Sequence, residues 1–340
     1  YETAGFVGNL GYTARVSGLA RGFTYYQDHV PSLPMLIQNF AGTRRQWTKR
    51  TGFKVEHRLA ADINQSFFRW LSRRSDRAER PFFVFLNYFD AHYPYRPHKE
   101  LPGNFGTTPV RIPPLDAHGQ TGTLTAMRDL YDGEILYLDT QVQRLLNELR
   151  SRHLLDNTLV IITSDHGEEF GENPHGTAGH GVSLYMPSLR IPLLMVHPGS
   201  VPQGLRLRPP VGLRDIPATV LTLLGFDSEP MFPGRSLSQF WTASEAQRPV
   251  EVRPPLAELS LRSWLPRWAP ANRGALSSIV IDNLHYIRNE NGEEELYDFV
   301  EDPWERHDLA PLAASGTLDQ FRASLEAIQE SAQHRRPTQD

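Results

Sequence analysis

The chain has 340 residues, of which 35 are Lys or Arg and 39 are Asp or Glu, for a formal net charge of -4 at pH 7. Near-balanced charge excludes the basic footprint of a nucleic-acid binder, and 39% hydrophobic with 22% charged residues excludes a disordered chain. There is no Cys, which removes disulfides, thiolate zinc sites and a Cys nucleophile from these residues.

No apolar run approaches the ~18 residues that cross a bilayer. The longest, Pro81 to Phe89 and Leu159 to Thr163, are strand-sized. The first residue is Tyr1, and residues 1 to 9 read as a short buried strand entered from something upstream, so a chain incomplete at its front is expected. Leu59, Ile63, Phe67, Trp70 and Leu71 recur at helical spacing and predict a helix over residues 59 to 74. Phe82 to Tyr88 is a continuous run of β-formers, as in a strand covered on both faces. Residues 96 to 122 are rich in Pro and Gly and predict a long loop, which in a compact domain is usually functional. Leu130, Ile135, Leu138, Val142, Leu145 and Leu149 predict a strong amphipathic helix.

Leu159 to Thr163 and Ile191 to Val196 are further buried strands, and Ile216 to Leu224 is a helix closed by Gly225. Alternating strands and helices predict an α/β fold, with a mainly parallel or mixed sheet sandwiched by helices. After the Pro-rich stretch from Pro230 to Pro255 the texture changes. Gly274 to Ile281, His285 to Arg288 and Glu295 to Asp298 read as antiparallel strands, with Asn291-Gly292 as a hairpin turn, and Leu318 to Ile328 as a last helix. The expected division is therefore a catalytic domain over 1–249 and a smaller α+β subdomain over 250–340.

In open α/β sheets, chemistry gathers where strands end at their carboxyl edge. Two such ends carry the same residue types: Asp90 with His92, and Asp165 with His166. His175 and His180 follow in a loop, and His180 sits between Gly179 and Gly181. Carboxylate and imidazole without sulfur form a ligand set for zinc or manganese, while calcium leans on the oxygens. The bland alternative is a polar turn after a strand. His57, His98, His118, His153, His197, His285 and His307 are read as solvated side chains, and Asp132, Glu134 and Asp139 as the polar face of the long helix.

Thr163-Ser164-Asp165-His166-Gly167-Glu168-Glu169-Phe170-Gly171-Glu172, followed by Gly179-His180-Gly181 and Arg190-Ile191-Pro192-Leu193, resembles the sulfatase family of the alkaline phosphatase superfamily. Asp90-Ala91-His92-Tyr93-Pro94-Tyr95, Tyr131-Asp132-Gly133-Glu134-Ile135, Asp215-Ile216-Pro217 and Gly234-Arg235-Ser236 are similar to further blocks of that family in the same order, as are residues 286 to 309. The resemblance implies an alkaline-phosphatase-like fold and a metal-dependent hydrolase of sulfate esters. It implies that Asp165 and His166 ligate the metal, that His92 and His180 contact the anion and assist the leaving oxygen, and that Asn9 and His175 are substrate contacts.

The metal would be Ca2+ in a sulfatase, and Zn2+ or Mn2+ in a phosphoesterase. The substrate would be a sulfate or phosphate ester of a small molecule, a glycan or a lipid headgroup. In many sulfatases a lysine stands where His180 aligns, which keeps open a phosphodiesterase, or a phosphoglycerol or phosphoethanolamine transferase, with a Thr or Ser nucleophile. A non-catalytic anion-binding homologue is a further alternative. The family's nucleophile segment lies upstream of the segment that residues 1 to 9 resemble, so these residues alone are expected to turn over nothing. Export or membrane anchoring would rest on the same upstream region.

Overall fold

The computed structural model describes residues 1–28, 58–74, 80–96, 98, 121–226, 232–242 and 253–333. Most of the loop expected over 96 to 122, part of the Pro-rich stretch, and His57 and His118 lie outside the described residues. The chain divides into two compact units, residues 1–111 with 126–154 and residues 112–125 with 155–340.

The first unit is built on a three-stranded parallel sheet. Its middle strand β1 (Glu2–Val7) lies between β2 (Tyr25–Gln27) and β3 (Phe82–Asn87), with Ala4 opposite Tyr25 and Glu2 to Val7 opposite Phe82 to Asn87. Helix α1 (Ala60–Ser72) turns Ile63, Phe67 and Trp70 inward, as their spacing requires. Phe67 and Trp70 meet the fully buried Phe6 edge-on at 5.9 and 6.2 Å between centroids. Helix α2 (Thr121–Ser151) starts earlier than its apolar repeat suggests. The Asn64 side chain donates to the Gln141 carbonyl at 2.9 Å, tying α1 to α2.

In the second unit β4 (Val160–Thr163) pairs antiparallel with β7 (Leu193–Val196), and short β5 (Glu169–Phe170) pairs with β6 (Ala178–Gly179). The expectation of fully covered strands does not hold here or in β3. Phe83, Leu194 and Val196 are exposed. Side chains alternate between the two faces of a strand, and among the described residues β7 pairs with β4 alone. Helices α3 (Met186–Leu189) and α4 (Asp215–Leu223) flank β7 in sequence, and Gly225 follows α4 with φ +72°.

The C-terminal sheet has the order β11-β10-β9-β8, all antiparallel. Its strands are β8 (Leu256–Leu259), β9 (Leu276–Ile281), β10 (Leu284–Asn289) and β11 (Glu294–Asp298), with short helix α5 (Pro270–Arg273) between β8 and β9. One face packs on helix α6 (Ser315–Gln333) through Ile279, Tyr286, Leu296, Phe321 and Leu325. The other shares a core with Val182, Leu184 and Tyr185, which meet Leu276, Ile287 and Tyr297. This shared core lies within the second compact unit. Among the described residues no helix is long and apolar enough to cross a membrane.

Candidate active site

Two clusters carry the residues singled out by sequence, one in each unit. In the second unit, β4 delivers the chain into Ser164-Asp165-His166-Gly167. Gly167 is required here by close approach: a Cβ would collide with the Pro187 carbonyl, while its own N–H donates to the Ser188 carbonyl at 2.8 Å. Asp165 projects outward with its side chain 85% exposed, and its Oδ2 lies 3.7 Å from Nε2 of the 37%-exposed His166 side chain.

Nδ1 of His166 is 2.8 Å from the Gly167 carbonyl. A donor at Nδ1 leaves the lone pair on Nε2. Two acceptors then face each other at a spacing that a cation relieves. Asp165 and His166 therefore fit as two ligands of a divalent ion. Among the described residues no cluster of three or more His, Asp or Glu side chains completes such a site.

His180 is set at a sharp corner, because Gly179 and Gly181 on either side both adopt positive φ, +90° and +69°, which side-chain-bearing residues rarely adopt. Its ring lies 4.1 Å from that of His166. Nδ1 of His180 is 3.2 Å from each oxygen of Glu168, whose side chain is only 6% exposed. The Glu168 carboxylate raises the His180 pKa, overriding the opposing effect of burial. The next residue, Glu169, is fully buried and receives the hydroxyls of Thr177, Ser183 and Ser188 (the last at 2.6 Å) and the Asn173 amide at 3.0 Å. Burial raises its pKa against those donors. Glu169 thus gathers the loop from residue 173 to 188 around one carboxyl group.

His175 lies in that loop, with Nε2 3.5 Å from the Arg273 guanidinium and its ring 6.0 Å from Tyr185. The Tyr185 hydroxyl donates to Glu295 at 2.8 Å and the Met186 N–H donates to Glu305 at 2.7 Å, so the C-terminal sheet holds the same loop.

In the first unit, Asp90 is buried, and both its oxygens accept the Ala60 N–H at the start of α1, at 3.1 and 3.0 Å. It accepts the first N–H of a helix, and burial raises its pKa to about 6. His92 stacks on Phe89 at 4.2 Å with Nδ1 2.6 Å from the Tyr93 carbonyl. The segment that follows, with its cis Tyr93–Pro94 peptide, is clamped by α2. Buried Glu134 accepts the Arg96 N–H at 2.6 Å and lies 2.7 Å from Nε2 of His98, while His98 stacks on Tyr137 at 4.1 Å and Tyr95 meets Tyr131 edge-on. Asn9 closes its own turn: its Oδ1 accepts from the Gly11 and Tyr12 amides at 2.9 and 3.1 Å.

Several side chains take different places from those expected. Glu134 is not part of a solvated helix face, because its neighbours in the fold bring two donors to it. His98 is no solvated loop residue, for the same reason. His285 is fully buried with Nδ1 2.6 Å from Glu305. Glu168 and Glu169 were not anticipated. Their only signal in sequence is an acidic pair directly after Asp165-His166-Gly167, facing a Gly-His-Gly corner.

The sulfatase family profile matches residues 5–226. The chain belongs to the sulfatase family. It is 27% identical over 302 residues to a choline-sulfatase of Rhizobium meliloti (strain 1021), covering 82% of this chain and 55% of that protein. It is 25% identical over 329 residues to the steryl-sulfatase of Rattus norvegicus, covering 88% and 51%. The chain thus spans about half the length of these sulfatases. The fold is similar to the phosphonate monoester hydrolase of Agrobacterium radiobacter, with TM-score 0.64, 18% identity, and 98% and 78% of the two chains covered. The alkaline-phosphatase-like architecture expected from sequence is thereby established.

Proposed function

We propose that this sulfatase-family chain contributes to metal-dependent hydrolysis of sulfate esters. The observation that supports this reading best is the group formed by Asp165, His166, Glu168 and His180, with the two rings 4.1 Å apart and the second ring held by a buried carboxylate. Asp165 and His166 would hold the divalent ion, Ca2+ in this reading, which offsets negative charge on the ester oxygens. His180 carries a proton favoured by Glu168 and gives it to the departing alkoxide or phenoxide. Glu168 fixes the ring, and Glu169 fixes the loop that bears it.

His92, expected to assist the same step, is held rigidly by Phe89 and the Tyr93 carbonyl. His175 and Asn9 are proposed substrate contacts. For Asn9 that role falls to the side-chain amide nitrogen, since the oxygen serves its turn. The nucleophile is proposed to come from polypeptide upstream of Tyr1.

A second reading, cleavage or transfer of a phosphoester with Zn2+ or Mn2+ and a Thr or Ser nucleophile, is favoured by one feature. His180 occupies the position where a lysine is frequent in the family. Both readings are tested by assaying the chain with its upstream coding region attached, on 4-nitrophenyl sulfate and bis(4-nitrophenyl) phosphate, with each metal in turn. Faster sulfate release that is lost in Asp165→Ala and His166→Ala supports the first. Faster diester cleavage supports the second. Binding of sulfate with no turnover of either ester leaves an anion-binding homologue.

A further inference from the structure

Glu305 is unusual on two counts. It is fully buried, and its φ of +53° is one that side-chain-bearing residues rarely adopt. A glycine would take that corner without strain. Glutamate at the same corner adds a buried carboxylate, and strained residues of this kind concentrate at functional sites. The corner is tied to β11 on both sides. The Asp302 N–H donates to the Asp298 carbonyl at 2.8 Å, and the Leu296 N–H donates to Asp308 at 3.0 Å. The next residue, Arg306, donates to the Glu172 carbonyl at 2.9 Å.

Both oxygens of the Glu305 carboxylate are used. One lies 2.6 Å from Nδ1 of His285 on β10, and the other accepts the Met186 N–H at 2.7 Å. Nε2 of His285 is buried and has no hydrogen-bond partner among the described residues. A proton on Nε2 would be stranded, so Nδ1 carries it and donates to Glu305. Met186 opens α3, whose Ser188 and Leu189 N–H groups both donate to the Tyr185 carbonyl, at 2.9 and 3.2 Å. Pro187 has no N–H. The Met186 N–H is therefore the one amide of this turn that needs an acceptor from elsewhere, and Glu305 supplies it from 119 positions along the chain.

α3 in turn carries the loop that leaves β4. The Ser188 carbonyl accepts the Gly167 N–H, and the Pro187 carbonyl fills the space that a Cβ on Gly167 would take. Inside the loop, the Ser164 hydroxyl donates to the His166 carbonyl at 2.7 Å and the His166 N–H donates to Asp165 at 3.1 Å. Residues 164 to 167 thus hold their own shape and take their position from α3.

We propose that Glu305, its carboxylate fixed by His285, is a positioning residue for the Asp165–His166 ligand pair and acts through α3. The role rests on the metal reading above.

The test uses Mn2+ alone as the probe, titrated into the chain with its upstream coding region attached, with free Mn2+ counted by electron paramagnetic resonance. Glu305→Ala should weaken Mn2+ binding about tenfold, the scale of groups that orient metal ligands from behind. Glu305→Gln keeps the volume, but its one oxygen serves Met186 or His285 and its NH2 then faces the other donor, so it should weaken binding by less. Thermal melts set a temperature at which the variants are folded. If Glu305→Ala does not fold, Glu305→Gln decides alone. A lowered melting temperature with Mn2+ affinity unchanged is what a purely structural role gives, and it overturns the proposal. Asp165→Ala separates this role from the reading beneath it. If Asp165→Ala abolishes Mn2+ binding while the Glu305 variants bind as the wild type does, the ligand pair stands and the positioning role is wrong. If Asp165→Ala binds Mn2+ as the wild type does, the ligand assignment fails and the positioning role falls with it.

Discussion

Asp90 accepts the Ala60 amide with both oxygens, yet burial raises its pKa from 3.8 to about 6. A carboxyl that holds its proton more tightly folded than unfolded stabilises the fold in acid. Its contribution is fully present below pH 3.8 and is lost as pH rises through about 6. The gap between those values is worth about 3 kcal/mol. Asp90→Asn keeps an acceptor for the Ala60 N–H and has no charge to bury. The variant should therefore gain on the wild type between pH 4 and 7. Urea denaturation across that range checks it, and a constant difference between the two proteins would sink the assignment.

At this scale the sequence was informative where a residue's role follows from its neighbours along the chain. Asp165 and His166 follow a strand, and His180 sits between two glycines, so both stood out. Glu134, His98 and His285 did not, because what makes them buried pairs lies 36 or 20 positions away along the chain.

The loop after β3 and the loop after β5 are each organised by one buried carboxylate, Glu134 for the first and Glu169 for the second. Loops cannot satisfy buried polar groups by a regular ladder, so a single acceptor that collects several donors is an effective substitute. Removing it strands every donor. Glu134→Ala leaves the Arg96 N–H and the His98 ring without their acceptor, which should cost about 2–4 kcal/mol. It should also speed hydrogen exchange at Tyr95, Arg96 and His98. Glu134→Gln, which retains one acceptor oxygen, should recover part of the loss. If Glu134→Ala leaves exchange in that segment unchanged, the clamp is not what orders it.

The longer strands and helices were anticipated in kind and order because their apolar periods are local, whereas β2, β5, β6, β8, α3 and α5, of two to four residues each, are too short to show a period and were missed. The remaining errors were of extent and cover. Helix α2 begins before residue 130 because Leu124 and Met127 continue its buried apolar stripe. Strand β7 looked wholly apolar in sequence, yet Leu194 and Val196 face outward, because sequence does not say how many neighbours a strand has.

On the scale of the molecule, the sheet of β8 to β11 looked separable because a Pro-rich stretch precedes it, and such stretches often mark domain boundaries. What decides a boundary is where the apolar contacts close. Here Leu276 and Ile287 close against Val182, Leu184 and Tyr185, and the polar links from Tyr185 to Glu295 and from Met186 to Glu305 cross the same seam. Stability of the His180 loop should therefore be coupled to the C-terminal sheet. Leu276→Ala opens a cavity in the shared core and should cost about 2–5 kcal/mol. Its mark in native-state hydrogen exchange distinguishes the two divisions. If the core is shared, protection falls together in residues 182–190 and in β9 to β11, while β1 and β3 keep theirs. If the sheet were an independent piece beginning near residue 250, the loss would be confined to β8 to β11, and the His180 loop would exchange as in the wild type.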